Sequence, residues 1–442
     1  MLKRISPYTL IMLSFFALIV LGALLLMMPF AHIPEKDLSF LEAFFTATSA
    51  VTVTGLSVIN IGATFTIWGK LILLILIQFG GLGVLTISSV LVLLIAKRIG
   101  FYTKRLVAEG LNHNKTYDIY AITKRVVLIT LLFEAVGAVF LFCSFIQDYS
   151  FGQALFMAVF HSVSAFCNAG ISLFPNSFEG YTYNIFVNGV IAFLIIFGGL
   201  GFTTIIQSYE YLRKKRRRLD INSQFSIITT IILLVAGTFL FFTLEYNNYY
   251  TLYGKSTFNR LLISFFHSVS LRTAGFDTIP LEHLSSATIL FCVTFMFIGA
   301  SPNSTGSGVK TTTIGILFLG IKTALFNKNY IEFSKRRISW KLFNKASALV
   351  FIAMMYVLTT IIILTALEPN IEFTKIAFEL ISAFSTCGLS TGITPELCTF
   401  SKLILIFTMF LGRVGPLTIM LALSRPRAEG NYKYPKENIL IG

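Results

Sequence analysis

Four polar segments of this chain carry the same two residues at nearly the same distance from a glycine. Each segment reads Phe-x-x-x-Ser, and its glycine follows the serine by six residues in three copies and by five in the third. The glycines are Gly55, Gly170, Gly275 and Gly388. Glycine readily adopts left-handed backbone dihedrals, and loops that meet on one axis can present rings of carbonyl oxygens to a cation. The predicted chemistry is therefore cation coordination by main-chain oxygens.

The candidate ion-binding positions are these glycines and residues just before them. They are Thr54, Gly55, Asn168, Ala169, Gly170, Thr273, Ala274, Gly275, Cys387 and Gly388. Two of the five cysteines, Cys167 and Cys387, stand in these loops, and the cysteine spacing predicts neither a disulfide framework nor a metal site. Their thiols either pack behind the loops while the backbone binds the ion, or face the pore and weaken its selectivity.

The composition places these loops in a membrane protein. Of the 442 residues, 55% are hydrophobic and only 12% are charged, whereas about 25% of the residues of soluble proteins are charged. The net charge of +15 does not indicate nucleic acid binding, because basic residues gather in segments 97–125, 213–218 and 321–345 and at both termini. Such segments lie in the cytoplasm and contact anionic lipid headgroups. We expect a multi-pass protein of the plasma membrane with both termini in the cytoplasm.

Eight apolar stretches are long enough to cross a bilayer, which takes about 20 helical residues. They cover residues 8–28, 65–96, 121–146, 183–211, 225–244, 287–319, 342–367 and 401–423. Shorter amphipathic segments precede the glycine loops, at 38–50, 151–166, 257–271 and 372–384. Such segments suit helices that enter the membrane and stop. The predicted fold class is an all-α membrane protein with eight transmembrane helices plus four re-entrant pore half-helices.

The order of helix, half-helix, loop and helix occurs four times. The spacings between successive loop glycines are 115, 105 and 113 residues, which indicates one repeated unit. Two crossings per unit return the chain to its starting side, so the four units are parallel and predict a pseudo-fourfold pore. The predicted boundaries are 1–96 for repeat 1, 97–220 for repeat 2, 221–330 for repeat 3, 331–424 for repeat 4 and 425–442 for a cytoplasmic C-terminal tail.

The sixth apolar stretch contains a run that a straight membrane helix would not hold. Residues 299–313 include three glycines and a proline. Proline costs about 3 kcal/mol and glycine about 1 kcal/mol in a helix interior. This segment is therefore predicted to unwind inside protein or beside water, with a merely kinked helix as the alternative. Among the four units, only the third is expected to break strongly.

Two ionisable residues lie in the middle of apolar stretches, where a charge is costly without a cavity or a partner. The first is Arg413. A Phe-x-Gly motif in the second stretch of each unit aligns it with Leu82, Leu200 and Ala300, so we expect it just below the glycine loops. The second is Glu134, which either relays protons or binds sodium, or pairs with a polar or basic neighbour.

The four loops together resemble those of the Trk/Ktr/HKT superfamily of potassium transporters, and most closely those of its bacterial Ktr membrane subunits. The resemblance covers nearly the whole chain and rests on TVTGL at 52–56, NAG at 168–170, RTAGF at 272–276 and the fourth loop, which ends at Gly388. It implies that potassium binds at the four glycines and that Gly55 favours potassium over sodium. Coupling to sodium stays open.

The resemblance also implies an intramembrane gate beneath the loops. Its residues in this chain are Gly299, Ala300, Ser301, Pro302, Ser304, Thr305, Gly306, Gly308, Lys310 and Arg413. In this family the arginine helps the loop to close the pore, and a purely structural arginine that pairs with a backbone carbonyl is the alternative. The resemblance further implies a homodimer with one pore in each protomer, placed on a cytosolic ring of nucleotide-binding regulatory subunits.

Two other classes of protein share parts of this pattern. Ion-coupled secondary transporters with a central substrate site also have broken helices, but commonly in inverted repeats, whereas the units here are parallel. A membrane enzyme would need a catalytic motif, and the sequence has no HExxH or Walker A motif. The sequence therefore predicts potassium uptake through a gated, carbonyl-lined filter and no enzymatic activity, with the secondary transporter as the alternative.

Overall fold

The computed structural model describes residues 7–35, 37–95, 119–215 and 217–415. Within these residues the chain is helical apart from its loops and one two-stranded hairpin. Both termini, the predicted tail at 425–442 and most of the basic segment 97–125 lie outside the described residues.

Each of the four units contains a first long helix, a short helix and a second apolar stretch. The first long helices are α1 (Pro7–Leu26), α5 (Ile119–Phe145), α9 (Ile221–Glu245) and α13 (Trp340–Leu367). The short helices are α2 (Phe40–Thr52), α6 (Phe151–Phe166), α10 (Thr257–Ser270) and α14 (Phe373–Ser385). The second stretches hold α4 (Ile67–Ile95), α7 (Ile185–Leu200) with α8 (Phe202–Leu212), α11 (Ser286–Phe297) with α12 (Thr311–Leu325), and α15 (Thr399–Val414). A single turn, α3 (Ile61–Thr64), precedes α4.

Local sequence sets the starts of the short helices. Ser39 and Glu42 form a capping box at the start of α2, in which each side chain binds the backbone N–H of the other. Ser256 caps α10 by accepting the N–H of Asn259. Such caps satisfy backbone donors that have no partner inside the helix. The four short helices therefore begin close to the positions that the amphipathic pattern predicts.

The second stretch is interrupted in each of the first three units, which corrects the expectation that only the third would break, and in the fourth unit its helix ends where the described residues end. Gly83 interrupts α4 with a φ of 74°, and Gly201, with a φ of 92°, separates α7 from α8 at a bend of 99°. In the third unit residues 298–310 separate α11 from α12. In the fourth, α15 ends at Gly415, with a φ of 88°. A residue with positive φ cannot continue a right-handed helix.

These interruptions decide how many helices could cross a membrane by length and apolarity. Among the described residues three qualify, Thr123–Phe145, Ile221–Glu245 and Trp340–Leu367, and the bent pair α7 and α8 makes a fourth if it counts as one span. The other helices that meet the apolarity requirement have only 10–17 residues. The sequence prediction of eight spans counted each broken stretch as one.

A short hairpin corrects the expectation of a purely helical chain. Strands β1 (Ile331–Phe333) and β2 (Arg336–Ile338) pair in antiparallel register. The two residues between them, Ser334 and Lys335, have φ values of 50° and 60°. Two successive left-handed residues form the tight turns that match the twist of a hairpin. The hairpin packs on Phe225 and is otherwise mostly exposed and basic.

The short helices pack in a closed order. Each one lies against the first long helix of its own unit and against the second stretch of the preceding unit. Thus α6 contacts α4, α10 contacts α7, α14 contacts α11, and α2 contacts α15. The last contact joins the first unit to the fourth. The C-terminal ends of the four short helices are consequently directed to a common centre, where the glycine loops lie.

Candidate functional site

The four glycine loops repeat one unusual backbone conformation. Each glycine has a positive φ, and the residue two positions before it is also left-handed, although it is not glycine. The glycine φ values are 100° at Gly55, 64° at Gly170, 79° at Gly275 and 90° at Gly388. The preceding values are 57° at Val53, 59° at Asn168, 63° at Thr273 and 51° at Thr386. A left-handed residue with a Cβ atom costs roughly 1–2 kcal/mol, and such strain gathers at functional sites.

The first two glycines each face the next unit. A Cβ atom placed on Gly55 would lie 2.7 Å from the carbonyl oxygen of Ala169 and 3.1 Å from the Cα atom of Gly170. A Cβ atom placed on Gly170 would lie 2.7 Å from the carbonyl oxygen of Ala274 and 2.8 Å from the Cα atom of Gly275. Neither position has room for a side chain.

The other two glycines continue the same order. A Cβ atom on Gly275 would lie 2.6 Å from the carbonyl oxygen of Cys387 and 3.1 Å from the Cα atom of Gly388. On Gly388 it would overlap the carbonyl oxygen of Thr54 and lie 2.9 Å from the Cα atom of Gly55. Each glycine thus faces the carbonyl group just before the next glycine, and the fourth unit closes on the first. We call this arrangement the glycine ring.

The motif serines tie each loop to its own short helix. They are Ser49, Ser164, Ser270 and Ser382. In units 1 and 4 the serine hydroxyl accepts the N–H of the ring glycine at 3.0 Å. In units 2 and 3 it donates to the carbonyl oxygen of the residue after the glycine, at 2.8 Å in unit 2. In all four units the residue before the glycine donates its N–H to the serine carbonyl oxygen, so the shorter third loop keeps the same anchor.

Residues 298–310 fold back on themselves beside the loops. Ile298 and Val309 form a parallel bridge. The N–H of Gly299 donates to the carbonyl oxygen of Val309, and that of Ala300 to the carbonyl oxygen of Ser307, both at 3.0 Å. The segment is unwound, as its glycines and proline predict, and several of its backbone groups bond to protein partners. We call it the crossing segment.

The crossing segment is fastened to the second unit. The N–H of Ser301 donates to the carbonyl oxygen of Gly199 at 3.1 Å, and that of Thr305 to Gly198 at 3.2 Å. The hydroxyl of Thr305 lies 3.1 Å from the carbonyl oxygen of Phe166 and 3.2 Å from the side-chain oxygen of Asn168. It therefore reaches the end of α6 and the start of the second glycine loop.

The same segment also touches the third and fourth units. Gly306 lies against the hydroxyl of Thr273 in the third loop, and a Cβ atom on Gly308 would lie 3.5 Å from that of Ser385. The ammonium of Lys310 donates to the carbonyl oxygen of Gly306 at 2.8 Å. The predicted gate residues are thus brought together against the inner ends of the loops.

Arg413 joins the crossing segment to the first unit. Its guanidinium donates to the carbonyl oxygen of Thr305 and to the hydroxyl of Ser307, the latter at 3.2 Å. It also donates to the carbonyl oxygens of Gly80 and Gly81, the latter at 3.4 Å. These partners satisfy a charge that would be costly inside an apolar stretch.

The structure corrects the predicted register of Arg413 by one residue. Gly80, Gly198 and Gly412 each lie against a carbonyl oxygen at the end of a short helix, where a Cβ atom would clash. These three glycines are therefore equivalent. It follows that Arg413 corresponds to Gly81 and Gly199, and not to the residues after them.

Two cavities lie on different sides of this layer. One of about 400 Å³ is lined by all four ring glycines and by residues that follow them in the loops. The other, of about 220 Å³, is lined by Arg413, by Gly83 and Gly415 at helix ends, and by six residues of the crossing segment: Asn303, Ser304, Gly306, Ser307, Gly308 and Lys310. The ring glycines line only the first cavity and the crossing segment only the second, so together they separate the two.

Three carboxylates line the cavity at the ring glycines. They belong to Glu179, Asp277 and Glu282. Asp277 is half-buried in the loop outside α10, and burial, together with the neighbouring Glu179 carboxylate, raises the pKa of Asp277 to about 8. Burial likewise raises the pKa of Glu179. Carboxyl groups that ionise in such a cavity add negative charge beside its carbonyl oxygens and so attract cations.

Both loop cysteines point away from the ring. The thiol of Cys167 lies 3.7 Å from a carboxylate oxygen of Glu134, which accepts a hydrogen bond from Gln78 at 3.2 Å. The thiol of Cys387 donates to the carbonyl oxygen of Ser270 at 3.5 Å. Of the two placements that the sequence allows, the thiols take the one behind the loops. Glu134 correspondingly has polar partners.

Two sets of site residues were not predicted. The first is the set of breaking glycines, although a Gly-x-x-Gly spacing occurs at Gly80 and Gly83, and again at 198–201 and 412–415. The second is the set of carboxylates in the larger cavity, which are scattered along the chain and carry no common motif. Only the glycines had a signal in the sequence.

The fourth glycine loop contains a hydrolase-like pattern, which corrects the expectation that the chain has no Gly-x-Ser-x-Gly motif. Residues 388–392 read GLSTG, which matches the Gly-x-Ser-x-Gly pattern of hydrolases. That pattern acts where a strand meets a helix and where a histidine takes the serine proton. Ser390 instead donates its hydroxyl to the buried Glu379, lies 3.1 Å from the hydroxyl of Thr394, and follows a helix. The match therefore does not indicate a nucleophile.

The fold and the site define a helical membrane protein with a fourfold ring of backbone carbonyls. The TrkH family, described as cation transport proteins, matches residues 6–432. The Ktr system potassium uptake protein B of Vibrio alginolyticus is 38% identical over 432 residues, which are 98% of this chain and 94% of that protein. The potassium/sodium uptake protein NtpJ of Enterococcus hirae is 35% identical over 447 residues, covering 100% of this chain and 98% of that protein.

A solved structure shows the same fold. The crystal structure of the potassium transporter TrkH from Vibrio parahaemolyticus matches with a TM-score of 0.74 and 19% identity, over 96% of this chain and 86% of that chain. The chain belongs to the TrkH family of cation transport proteins, and it resembles the Ktr potassium uptake proteins over its full length.

Proposed function

We propose that this protein takes up potassium across the plasma membrane through a filter formed by the glycine ring. The observation that carries the proposal is the closed order in which each ring glycine faces the carbonyl oxygen before the next one. The residues that supply these carbonyls are Thr54, Ala169, Ala274 and Cys387. Carbonyl oxygens arranged in rings replace the water that a potassium ion loses on entering a pore.

The helix ends support a cation in preference to an anion. All four short helices end at the ring, and the C-terminal end of a helix carries a partial negative charge. The larger cavity adds the carboxylates of Glu179, Asp277 and Glu282. The name of the Ktr relative and the glycine at position 55 favour potassium as the ion.

We assign the gate to the crossing segment and Arg413. The segment separates the two cavities, and the guanidinium ties it to carbonyl oxygens of the first unit. A segment rich in glycine and serine can rearrange at low conformational cost. In this assignment an ion that has passed the ring can reach the smaller cavity only after the crossing segment moves out of the pore.

The membrane arrangement belongs to the same proposal. The four units correspond to the sequence repeats at 1–96, 97–220, 221–330 and 331–424, with two spans and one re-entrant half-helix in each. In this arrangement both termini are cytoplasmic, as are the basic segments. The exposed apolar side chains of α5, α9 and α13 support lipid contact.

A secondary transporter with a central substrate site is the alternative. Such a site would need a pocket for the substrate at the centre of the molecule. The centre is instead occupied by four glycine backbones in contact, which favours a filter for bare ions. Sodium coupling, suggested by the name of the Enterococcus relative, is compatible with either mechanism.

The proposed partners follow from the family. We propose a homodimer on a cytosolic ring of nucleotide-binding regulatory subunits. The exposed basic hairpin, with Lys335, Arg336 and Arg337, supports a contact with an acidic protein surface. Mass measurement of the purified protein in detergent tests the dimer, and uptake with and without the regulatory subunit and its nucleotide tests the ring.

The function is tested with purified protein in lipid vesicles. Uptake of rubidium, a tracer for potassium, is measured with increasing external potassium or sodium. The proposal expects potassium to compete at much lower concentration than sodium. Vesicles that take up no more rubidium than empty ones would overturn it, and equal competition by the two ions would overturn the potassium filter. Shortening residues 299–313 is expected to raise flux, and unaltered flux in well-folded protein would contradict the gate.

A further inference from the structure

One position of the short helices faces the outer part of each glycine loop. It is the residue directly after the motif phenylalanine, occupied by Thr46, His161, His267 and Glu379. All four side chains are polar and buried. Because the four units share one motif, these residues occupy equivalent places behind the glycine ring. Their hydrogen bonds, however, differ between the units.

In the fourth unit, Glu379 holds the loop. One carboxylate oxygen accepts the N–H of Thr391 at 2.9 Å and the hydroxyl of Ser390, and the other accepts the hydroxyl of Thr394 at 2.9 Å. Ser390 and Thr391 are the second and third residues after Gly388. A carboxylate only accepts hydrogen bonds, and here donors from a single loop satisfy it. The loop is thereby fixed to its own short helix.

In the second unit, His161 does the same. Its Nδ1 lies 2.8 Å from the carbonyl oxygen of Met157, and its Nε2 accepts the N–H of Leu173 at 3.2 Å and lies 3.2 Å from the hydroxyl of Ser172. Since a carbonyl group only accepts, Nδ1 carries the proton and Nε2 is free to accept. Ser172 and Leu173 are the second and third residues after Gly170.

Units 1 and 3 lack this connection. The hydroxyl of Thr46 and the Nε2 of His267 have no hydrogen-bond partner among the described residues. The Nδ1 of His267 lies 3.0 Å from the carbonyl oxygen of Ile263, as in the second unit. The two histidines therefore share the contact of Nδ1 and differ in the hydrogen bonds of Nε2.

The third loop is instead hydrogen-bonded to residues of the neighbouring second unit. The N–H of Asp277 donates to the hydroxyl of Ser177 at 3.2 Å, and the N–H of Phe178 donates to the carbonyl oxygen of Asp277 at 2.9 Å. Both partners belong to the second unit. The loop residues two and three positions after the ring glycine are thus bound to their own helix in units 2 and 4 alone.

We propose that Glu379 and His161 are positioning residues that set the ion selectivity of the glycine ring. The inference rests on the proposed function. Units 2 and 4 face each other across the ring, since each adjoins units 1 and 3. A carbonyl ring discriminates between cations only if the number and spacing of its oxygens are kept. Because the hydrogen bonds of Glu379 and His161 fix two opposite loops to their short helices, the ring cannot contract around the smaller sodium ion.

Glu379 is tested by a conservative and a disruptive variant. Glu379→Ala removes every acceptor, whereas Glu379→Gln keeps one oxygen for Ser390 and Thr391. In vesicles, Glu379→Ala is expected to lower the sodium concentration that halves rubidium uptake by about tenfold, which corresponds to about 1.4 kcal/mol. For Glu379→Gln this sodium concentration is expected to stay close to that of the unaltered protein. The matched control is Thr46→Ala, at the equivalent position, which is expected to leave competition unchanged.

His161 is tested against its equivalent in the third unit. His161→Phe and His267→Phe both keep an aromatic ring and both lose the bond from Nδ1, but only His161→Phe removes an acceptor from a loop. Stronger sodium competition is expected for His161→Phe and not for His267→Phe. Equal effects of the two variants would overturn the positioning role.

The outcomes separate this inference from the proposed function. If the unaltered protein shows no selective rubidium uptake, the proposed function fails. If it does, and Glu379→Ala changes the maximal rate but not the ratio of sodium to potassium competition, the positioning role fails. A variant that does not fold is recognised by its elution profile in detergent, and the comparison of His161→Phe with His267→Phe then carries the test of selectivity.

Discussion

The hydroxyl of Thr305 donates to the side-chain oxygen of Asn168 at 3.2 Å and thereby joins the crossing segment to the second glycine loop. Asn168 is one of the four left-handed residues before the ring glycines, and its amide also lies 3.3 Å from the carbonyl oxygen of Arg272. The segment assigned as a gate therefore contacts the backbone turn that positions a ring carbonyl. Displacement of the segment must break this bond.

Replacing Thr305 with valine tests that connection. Thr305→Val keeps the shape of the side chain and removes the hydroxyl that reaches Phe166 and Asn168. A typical hydrogen bond contributes about 1 kcal/mol, so we expect potassium flux to rise about fivefold as the closed position loses stability. Rubidium uptake into vesicles measures it. Thr294→Val, whose hydroxyl binds only its own helix, should leave flux unchanged.

Arg413→Gln should have a larger effect on flux. The guanidinium binds the crossing segment and the first unit at once, and hydrogen bonds of charged groups contribute about 1.5–3 kcal/mol. We expect uptake at least tenfold above that of the unaltered protein, with little change in sodium competition, because the ring itself is intact. A lower rate in well-folded protein would show that Arg413 serves conduction and not closure.

Gly55→Ser should weaken selectivity. At a φ of 100°, and with a carbonyl oxygen 2.7 Å from the place of a Cβ atom, serine cannot take the glycine conformation without moving the neighbouring loop. We expect sodium to compete about tenfold more effectively, a change of roughly 1.4 kcal/mol. Gly180→Ser, at a glycine with open space around it, is the control. Unchanged competition at position 55 would argue against a filter there.

The sequence predicted four glycine loops around one axis but not which groups of neighbouring loops face each other. The motif places a glycine at the end of each short helix, and three of the loops keep the same count from serine to glycine. These local features identify the loops. That each glycine would face the preceding carbonyl of the next unit depends on packing between segments more than 100 residues apart, which no local pattern encodes.

Two sequence predictions, the continuity of the second stretches and the register of Arg413, were wrong for reasons that lie in the local sequence. The second stretches read as continuous spans because glycine is frequent in membrane helices, so the breaks at Gly83 and Gly201 were not distinguished from packing glycines. The register of Arg413 failed by one residue because the Phe-x-Gly motif has one phenylalanine displaced in the fourth unit. Its partners at Gly80 lie 333 residues away in sequence.

Uptake should depend on pH through Asp277. Burial, assisted by the Glu179 carboxylate, raises the pKa of Asp277 to about 8, so this carboxyl is neutral at pH 7 and becomes negative as the pH rises through 8. Because negative charge in the cavity attracts cations, uptake at low potassium should increase between pH 7 and 9.

The variant Asp277→Asn separates this group from others that titrate nearby. It should remove the rise with pH and give the rate of the protonated form at every pH. Glu396→Gln, on an exposed residue outside the cavity lining, should keep the full rise. A rise that persists in Asp277→Asn would show that Asp277 is not the group responsible, and Glu179, whose pKa burial also raises and which lines the same cavity, would be tested next.

Glu245 should contribute to stability and not to selectivity. It is fully buried at the end of α9 and accepts hydrogen bonds from Asn248 and Thr251, both at 2.6 Å, and from the N–H of Ser285 at 3.0 Å. Glu245→Ala leaves the buried hydroxyl of Thr251 and the half-buried N–H of Ser285 without this acceptor, and an unsatisfied buried donor costs about 1–3 kcal/mol. We expect the melting temperature in detergent to fall markedly, while the ratio of sodium to potassium competition stays the same. Glu332→Ala, at an exposed hairpin residue, should change neither quantity, and altered selectivity in Glu245→Ala would place this carboxylate on the ion path.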